Sequence, residues 1–217
     1  MKILFYIVRH GETDYNIQGR LQGQLDLPLN QNGINVGILT GKALCDVKFD
    51  RVISSPLKRA YQTAQILLRE NRASSAEIET DDRLKEFSFG TWEGLGCVAG
   101  NREVPDEYLE FFRDGMAFRG APEGESTKQV LARTAAFLHE AANDPVNDGK
   151  TVLVSTHGAA MRALLHPAYE DDSDFWHGGV PANCAVNVLL AENGELTLLR
   201  DDAIYYDRSM SHNPYNE

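Results

Sequence analysis

Ile3-Leu4-Phe5-Tyr6-Ile7-Val8, followed without a break by Arg9-His10-Gly11-Glu12-Thr13, is the stretch on which the fold turns. Consecutive apolar and aromatic side chains, without the alternation of a half-solvated strand, read as a strand buried on both faces. Val152-Leu153-Val154, entered from Asp148-Gly149, is a shorter run of the same kind. Arg51-Val52-Ile53-Ser54 and Glu77-Ile78-Glu79 are weaker strand candidates. Residues 185–191 and 195–200 flank Asn193-Gly194, whose two positions tolerate positive φ and so predict a hairpin.

Helical patterns lie between these runs. Residues 33–44 carry apolar side chains at Ile34, Ile38, Leu39 and Ala43. Residues 57–68 follow Ser55-Pro56, read as an N-cap with proline in the first turn. Ser126 with Gln129 predicts a capping box for a helix through about residue 142. A further helix is expected over 159–165, directly after the second buried strand. Strands alternating with helices specify an α/β fold with a mostly parallel sheet, and the late hairpin adds an antiparallel edge strand. Residues 88–125, rich in aromatics, glycine and charge, fit neither period and read as a small inserted cap in an otherwise single domain spanning 1–217.

The 217 residues suit one core, and 21 basic against 32 acidic side chains leave a net charge of −11. That balance argues against nucleic acid and against an anionic membrane surface as partners. Cys45, Cys97 and Cys184 are odd in number and widely spaced, which suggests reduced thiols and no zinc knuckle. The opening apolar run is too short to cross a membrane or to form a signal-peptide core, so a cytoplasmic protein is expected.

Chemistry concentrates at the strand ends. Arg9-His10-Gly11 stands where the first buried strand stops, the place at which open α/β sheets bind ligands. An arginine and a histidine there, with a glycine that lets backbone approach, make an anion site containing a nucleophile. Thr156-His157-Gly158 repeats the arrangement after the second buried strand. Arg59 lies in the first turn of the helix behind Ser55-Pro56, whose N-terminus offers free N–H groups and a positive dipole end. Glu86, amid Leu84, Phe87 and Phe89, is a partly desolvated carboxylate suited to proton transfer.

These four segments, in this order, resemble the histidine phosphatase superfamily, also called phosphoglycerate-mutase-like. The likeness extends to Asn16, Arg20, Gln22-Gly23, Asp26 and Pro28-Leu29, and to Gly124-Glu125-Ser126. It implies a three-layer α/β/α sandwich. It also implies that His10 takes the phosphoryl group, that Arg9, Arg59 and His157 surround the phosphate with Asn16 as a further donor, and that Glu86 is the general acid. Gln22 and Gly23 fall where substrate contacts are expected. Thr156 stands where relatives commonly carry serine. The implied scheme needs no metal and no cofactor. Guanidinium charges near His10 should hold its imidazole neutral.

The same apparatus can hydrolyse a small phosphomonoester or move phosphate between the hydroxyls of phosphoglycerate. A mutase must hold a bisphosphorylated intermediate, yet residues 88–125 carry three arginines against eight carboxylates, a net −5. The phosphatase reading is therefore favoured, with the mutase and a non-catalytic phosphate-binding module as alternatives. Phe111-Phe112 and Phe118 either wall the leaving-group site or anchor the cap. Trp176-His177-Gly178-Gly179 edges the cleft, with His177 read as packing. A monomer or homodimer is expected, with Asp201, Asp202 and Asp207 opposing edge-to-edge pairing. The tail from Tyr205 is expected either to be disordered or to pack on a neighbouring chain.

Overall fold

Both faces of the opening strand are covered, as its unbroken apolar run requires. A computed structural model describes residues 1–212. In β1 (Lys2–Arg9), Ile3, Phe5 and Ile7 enter one core, while Leu4, Tyr6 and Val8 enter another on the opposite face. The remaining strands are β2 (Arg51–Ser54), β3 (Ile78–Thr80), β4 (Thr151–Thr156), β5 (Val186–Glu192) and β6 (Glu195–Ala203). They form one sheet in the order β3-β2-β4-β1-β5-β6. β1 to β4 are mutually parallel, β5 runs antiparallel to β1, and β6 returns beside β5 at the edge. Asn193 and Gly194 turn that hairpin with φ of 54° and 87°.

Among the described residues six α-helices accompany the sheet: α1 (Asp14–Ile17), α2 (Gln31–Ala43), α3 (Lys58–Glu70), α4 (Glu110–Arg113), α5 (Thr127–Asn143) and α6 (Gly158–Leu165). One core sits between the sheet and Ala64 and Leu67 of α3, with Leu44 at the end of α2. The other sits between the sheet and Phe137, Leu138, Met161 and Leu164 of α5 and α6. The three-layer sandwich follows. The expected capping box, Ser126 with Gln129, opens α5. α3 departs from expectation. Its N-cap is Leu57 without a side-chain cap, and Ser55 Oγ only accepts from the Leu57 N–H at 3.3 Å.

Register places the site. Arg9 lies opposite Thr156 across the parallel β1/β4 pair, so His10 and His157 leave the sheet side by side. From that point the chain runs to α2 on one face and to α6 on the other, which opens a crevice at the carboxyl ends of the strands. Residues 88–125 hold only 3-10 turns and α4, and are joined to the body through Leu21 N–H to Leu95 O (2.9 Å) and Gly94 N–H to Leu21 O (2.8 Å). Phe89, Trp92, Tyr108, Phe111 and Phe118 of this insert form a third core with Phe175 and Trp176, which come from the segment after α6.

Two edge expectations change. Asp202 is drawn into an ion pair with the buried Arg162, and Asp201 lies 3.6 Å from the same guanidinium. Neither is simply a free edge charge. The chain from Tyr205 to His212 folds back on its own molecule: Met210 O accepts from Asn32 Nδ2 at 2.9 Å, and His212 Nδ1 lies 2.7 Å from Glu12 Oε2. The remainder of that tail lies outside the described residues. Among the described residues no helix is long and apolar enough to cross a membrane.

Candidate active site

His10 leaves β1 with its N–H donated to Thr156 O (2.9 Å), and its side chain is buried. Nδ1 lies 2.6 Å from Gly11 O. A carbonyl only accepts, so the proton sits on Nδ1 and Nε2 keeps its lone pair. Burial holds the His10 pKa well below its ordinary value, with the Arg59 and Arg9 charges adding to it in that order. The guanidinium effect expected from sequence is real but second to desolvation. Gly11 is needed for a different close approach from the expected one. A Cβ there would lie 2.6 Å from Gly33 O, so the glycine seats the start of α2 against the nucleophile loop.

His157 stands behind His10, with ring centroids 5.2 Å apart. Its Nε2 meets Ser55 Oγ at 2.8 Å, while its buried Nδ1 has no hydrogen-bond partner. Burial, then Arg59, keeps its pKa well below the ordinary value. Ser55, read from sequence as a helix cap, is therefore the residue that orients His157.

Arg59 is fully buried in the first turn of α3, donating to Leu25 O (2.8 Å) and Gly23 O (2.7 Å). Burial pulls its pKa down to about 10. Its Nε has no partner, and no carboxylate among the described residues forms an ion pair with it. A buried cation without a counter-ion is costly, and an anionic ligand removes that cost. The free helix N-terminus expected beside it is partly occupied, because Lys58 N–H donates to Asp26 Oδ1 at 2.7 Å. Arg9 is buried too and donates to Pro181 O.

Gln22 and Gly23 line the cleft with Arg9, His10, Arg59 and Glu86. Asn16 does not. Asn16 is buried and completes the capping box of α1, its Oδ1 accepting from Thr13 N–H (3.1 Å) while its own N–H donates to Thr13 Oγ (3.3 Å).

Glu86 is half-buried and is not left among apolar groups. Its carboxylate accepts from the N–H groups of Phe87 (3.0 Å), Ala159 (3.2 Å) and Ala160 (2.9 Å), the last two at the start of α6. Arg133 of α5 braces this loop, donating to Arg83 O (2.7 Å), Lys85 O (2.6 Å) and Glu86 O (3.0 Å) while pairing with Glu125 at 2.8 Å.

Sequence reasoning missed Arg133 and Asn183, and it read Cys184 only as a reduced thiol. Asn183 Nδ2 donates to His10 O (3.1 Å), and Cys184 N–H donates to Arg9 O (3.1 Å) and His10 O (3.2 Å). Cys184 does so with a φ of 54°, a conformation unusual for a side-chain-bearing residue. The signal available for it was position alone: these residues immediately precede the strand that pairs with β1.

Beyond the floor, the cleft is walled by Leu21, Phe89, Tyr108, Phe111, Phe112, Trp176 and Val180. Phe111 and Phe112 face the site, while Phe118 packs behind Phe111 at 4.8 Å. Both readings of the aromatic cap thus hold, each for different rings. His177 stacks on Tyr169 at 3.7 Å, as a packing residue would. Among the described residues no group of three or more His, Cys, Asp or Glu side chains could hold a metal ion.

Comparison with known proteins agrees with this geometry. A family model described as histidine phosphatase superfamily (branch 1) matches residues 5–202. The chain is 32% identical over 186 residues to an uncharacterized phosphatase, PhoE, of Bacillus subtilis, covering 86% of this chain and 88% of that protein. It is 33% identical to phosphoserine phosphatase 1 of Hydrogenobacter thermophilus, covering 89% of each. It is also 30% identical to a 2,3-bisphosphoglycerate-dependent phosphoglycerate mutase of Gloeobacter violaceus, over 75% of this chain and 74% of that one. A solved mycobacterial hydrolase superposes with a TM-score of 0.81 at 27% identity, covering 94% of this chain and all of that one. Because the match takes in both histidine-bearing strand ends, the cap between them and the closing hairpin, the chain belongs to the histidine phosphatase superfamily, as an enzyme of its phosphatase and phosphoglycerate-mutase-like branch.

Proposed function

We propose that this enzyme hydrolyses a small phosphomonoester through a phosphohistidine formed on His10. The observation that carries the reading is a buried, neutral imidazole with a free Nε2 lone pair, sharing the cleft with two buried guanidinium groups. Arg9, Arg59 and the unpartnered Nδ1 of His157 hold the phosphoryl oxygens by position and charge, the main contribution available in phosphoryl transfer. Nε2 forms the bond to phosphorus as the ester P–O bond breaks, and a proton held at Glu86 passes to the departing alkoxide. Water then attacks phosphorus, gives a proton back to Glu86, and the N–P bond breaks to release inorganic phosphate.

Hydrolysis is favoured over the mutase reaction because the cap supplies no cation to the cleft. Arg102 and Arg113 pair with Asp106 (3.0 Å) and Glu110 (3.3 Å) at the surface, and Arg119 is exposed. A second phosphate would find no partner there. The reading includes a small-molecule substrate, a monomer or homodimer, and a cytoplasmic setting consistent with three free cysteines.

Phosphorus NMR on enzyme with 3-phosphoglycerate, a trace of bisphosphoglycerate and an aryl phosphate tests it. Growth of inorganic phosphate without 2-phosphoglycerate is expected. Appearance of 2-phosphoglycerate would make the enzyme a mutase. Acid-labile, base-stable labelling from a phosphorus-32 ester should appear on the native protein and vanish in His10→Ala.

A further inference from the structure

Resting on the phosphatase reading, the far wall of the same cleft specifies what the phosphate is attached to. Phe89, Tyr108, Phe111, Phe112 and Trp176 contribute rings to it. Phe112 and Trp176 are stacked, 4.9 Å apart at 11°, and form a flat platform. Trp176 is locked in place because its Nε1–H donates to Phe111 O at 2.7 Å. Phe111 stands edge-on to Trp176 (4.9 Å, 75°) and to Phe89 (5.4 Å, 77°). This is a surface for rings, since aromatic pairs gain from offset stacking and edge contacts.

Two of its polar atoms already have partners. The Gln22 carboxamide oxygen accepts from Thr13 Oγ–H at 2.9 Å, and the Tyr108 hydroxyl is engaged by the Cys97 thiol. Charged side chains lining the cleft are Arg9, Arg59 and Glu86, all at the phosphate end. An alcohol bearing a carboxylate or several hydroxyls would leave those groups unpaired against hydrocarbon, and its affinity would fall accordingly.

We infer that the preferred substrate is a phosphomonoester whose alcohol carries an uncharged aromatic ring and no second anionic group, with Phe112 and Trp176 as the specificity-determining platform.

The test compares 2-phenylethyl phosphate with phosphoserine and glycerol 3-phosphate. All three are alkyl esters, so ring recognition is separated from leaving-group strength. The native enzyme should favour 2-phenylethyl phosphate over phosphoserine in kcat/KM by about a hundredfold or more. Phe112, 37% exposed, can be replaced with little risk to folding. Phe112→Ala should shrink the ratio about tenfold. Phe112→Arg, which adds a cation at the mouth, should shift it further toward phosphoserine. Equal or greater use of phosphoserine by the native enzyme, or a ratio unmoved in both variants, would overturn the inference while leaving the phosphatase reading intact. Failure to release phosphate from any ester, p-nitrophenyl phosphate included, would instead overturn the phosphatase reading itself.

Discussion

The two ends of the cleft are built in opposite ways. The floor comes from the ends of β1 and β4 and the start of α3. Each of its main groups is buried, and most are pinned by short contacts: His10 Nδ1 to Gly11 O (2.6 Å), His157 Nε2 to Ser55 Oγ (2.8 Å), Arg59 to Gly23 O (2.7 Å). Most of the wall comes from a segment with almost no regular structure, with Trp176 added from the stretch after α6, and its order rests on ring packing. A rigid, charged floor suits a step common to every phosphomonoester. The wall, made by side chains on a cap, can change its alcohol without disturbing that step.

This contrast makes firm expectations for mutants. Floor substitutions should lower turnover of all esters alike unless they touch proton transfer to the leaving group. Glu86→Gln removes that proton and should slow alkyl phosphates by about 10²–10⁴-fold while affecting p-nitrophenyl phosphate far less. Equal losses on both would remove Glu86 from the acid role. Arg59→Met should cost about 10²–10³-fold in kcat, or roughly 3–4 kcal/mol, on every ester. A loss that depended on the alcohol would break the division between floor and wall.

Arg133→Met sharpens the comparison, because Arg133 lies outside the lining of the cleft and yet braces the Glu86 loop. It strands the carbonyls of Arg83 and Lys85, while Glu86 O keeps Gln24 Nε2 (3.1 Å) and Glu125 keeps the Ser88 N–H (2.9 Å), so a loss of about 2 kcal/mol in unfolding free energy is expected. Turnover should fall about tenfold on alkyl phosphates and less on p-nitrophenyl phosphate. The same small loss on both classes would reduce Arg133 to a purely structural role.

The smallest effect is on stability against pH. His10 and His157 have folded-state pKa values well below their unfolded ones. Between those values the unfolded chain binds more protons, so stability is fully present above about pH 6.5 and declines as pH falls. Each histidine contributes a slope of up to about 1.4 kcal/mol per pH unit. Tm measured from pH 7.5 to 5.5 should therefore fall, and His157→Gln should make the fall shallower. An unchanged slope in that variant would mean that other groups govern the acid limb.

Much of this molecule was legible because its signals are local. The runs at 3–8 and 152–154 are too continuously apolar for anything but strands covered on both sides, and the strands reach only a little further, to Lys2–Arg9 and Thr151–Thr156. Ser126 with Gln129 and Asn193-Gly194 carry their own capping and turn chemistry within a few residues. Other readings failed where one side chain serves a distant partner. Ser55 resembles a helix cap in its neighbourhood, but its hydroxyl meets a histidine 102 positions away. Arg133 has the look of a solvated helix residue, because nothing in α5 announces that it reaches carbonyls some 50 residues back.

By itself, the sequence determined the alternation of strand and helix, the two histidine-bearing strand ends and the acidic character of the cap. Each depends on periodicity, on turn residues or on a count of charges, all fixed by neighbours along the chain. Only the tertiary structure decided that Arg9 pairs in register with Thr156 and so sets His10 beside His157. It likewise decided that Phe111 and Phe112 face the cleft while Phe118 is buried behind them, and that Trp176 comes from a later segment to finish the wall. Those outcomes depend on which surfaces remain uncovered once the sheet and its helices have packed, a property of the whole chain that no short stretch of it can encode.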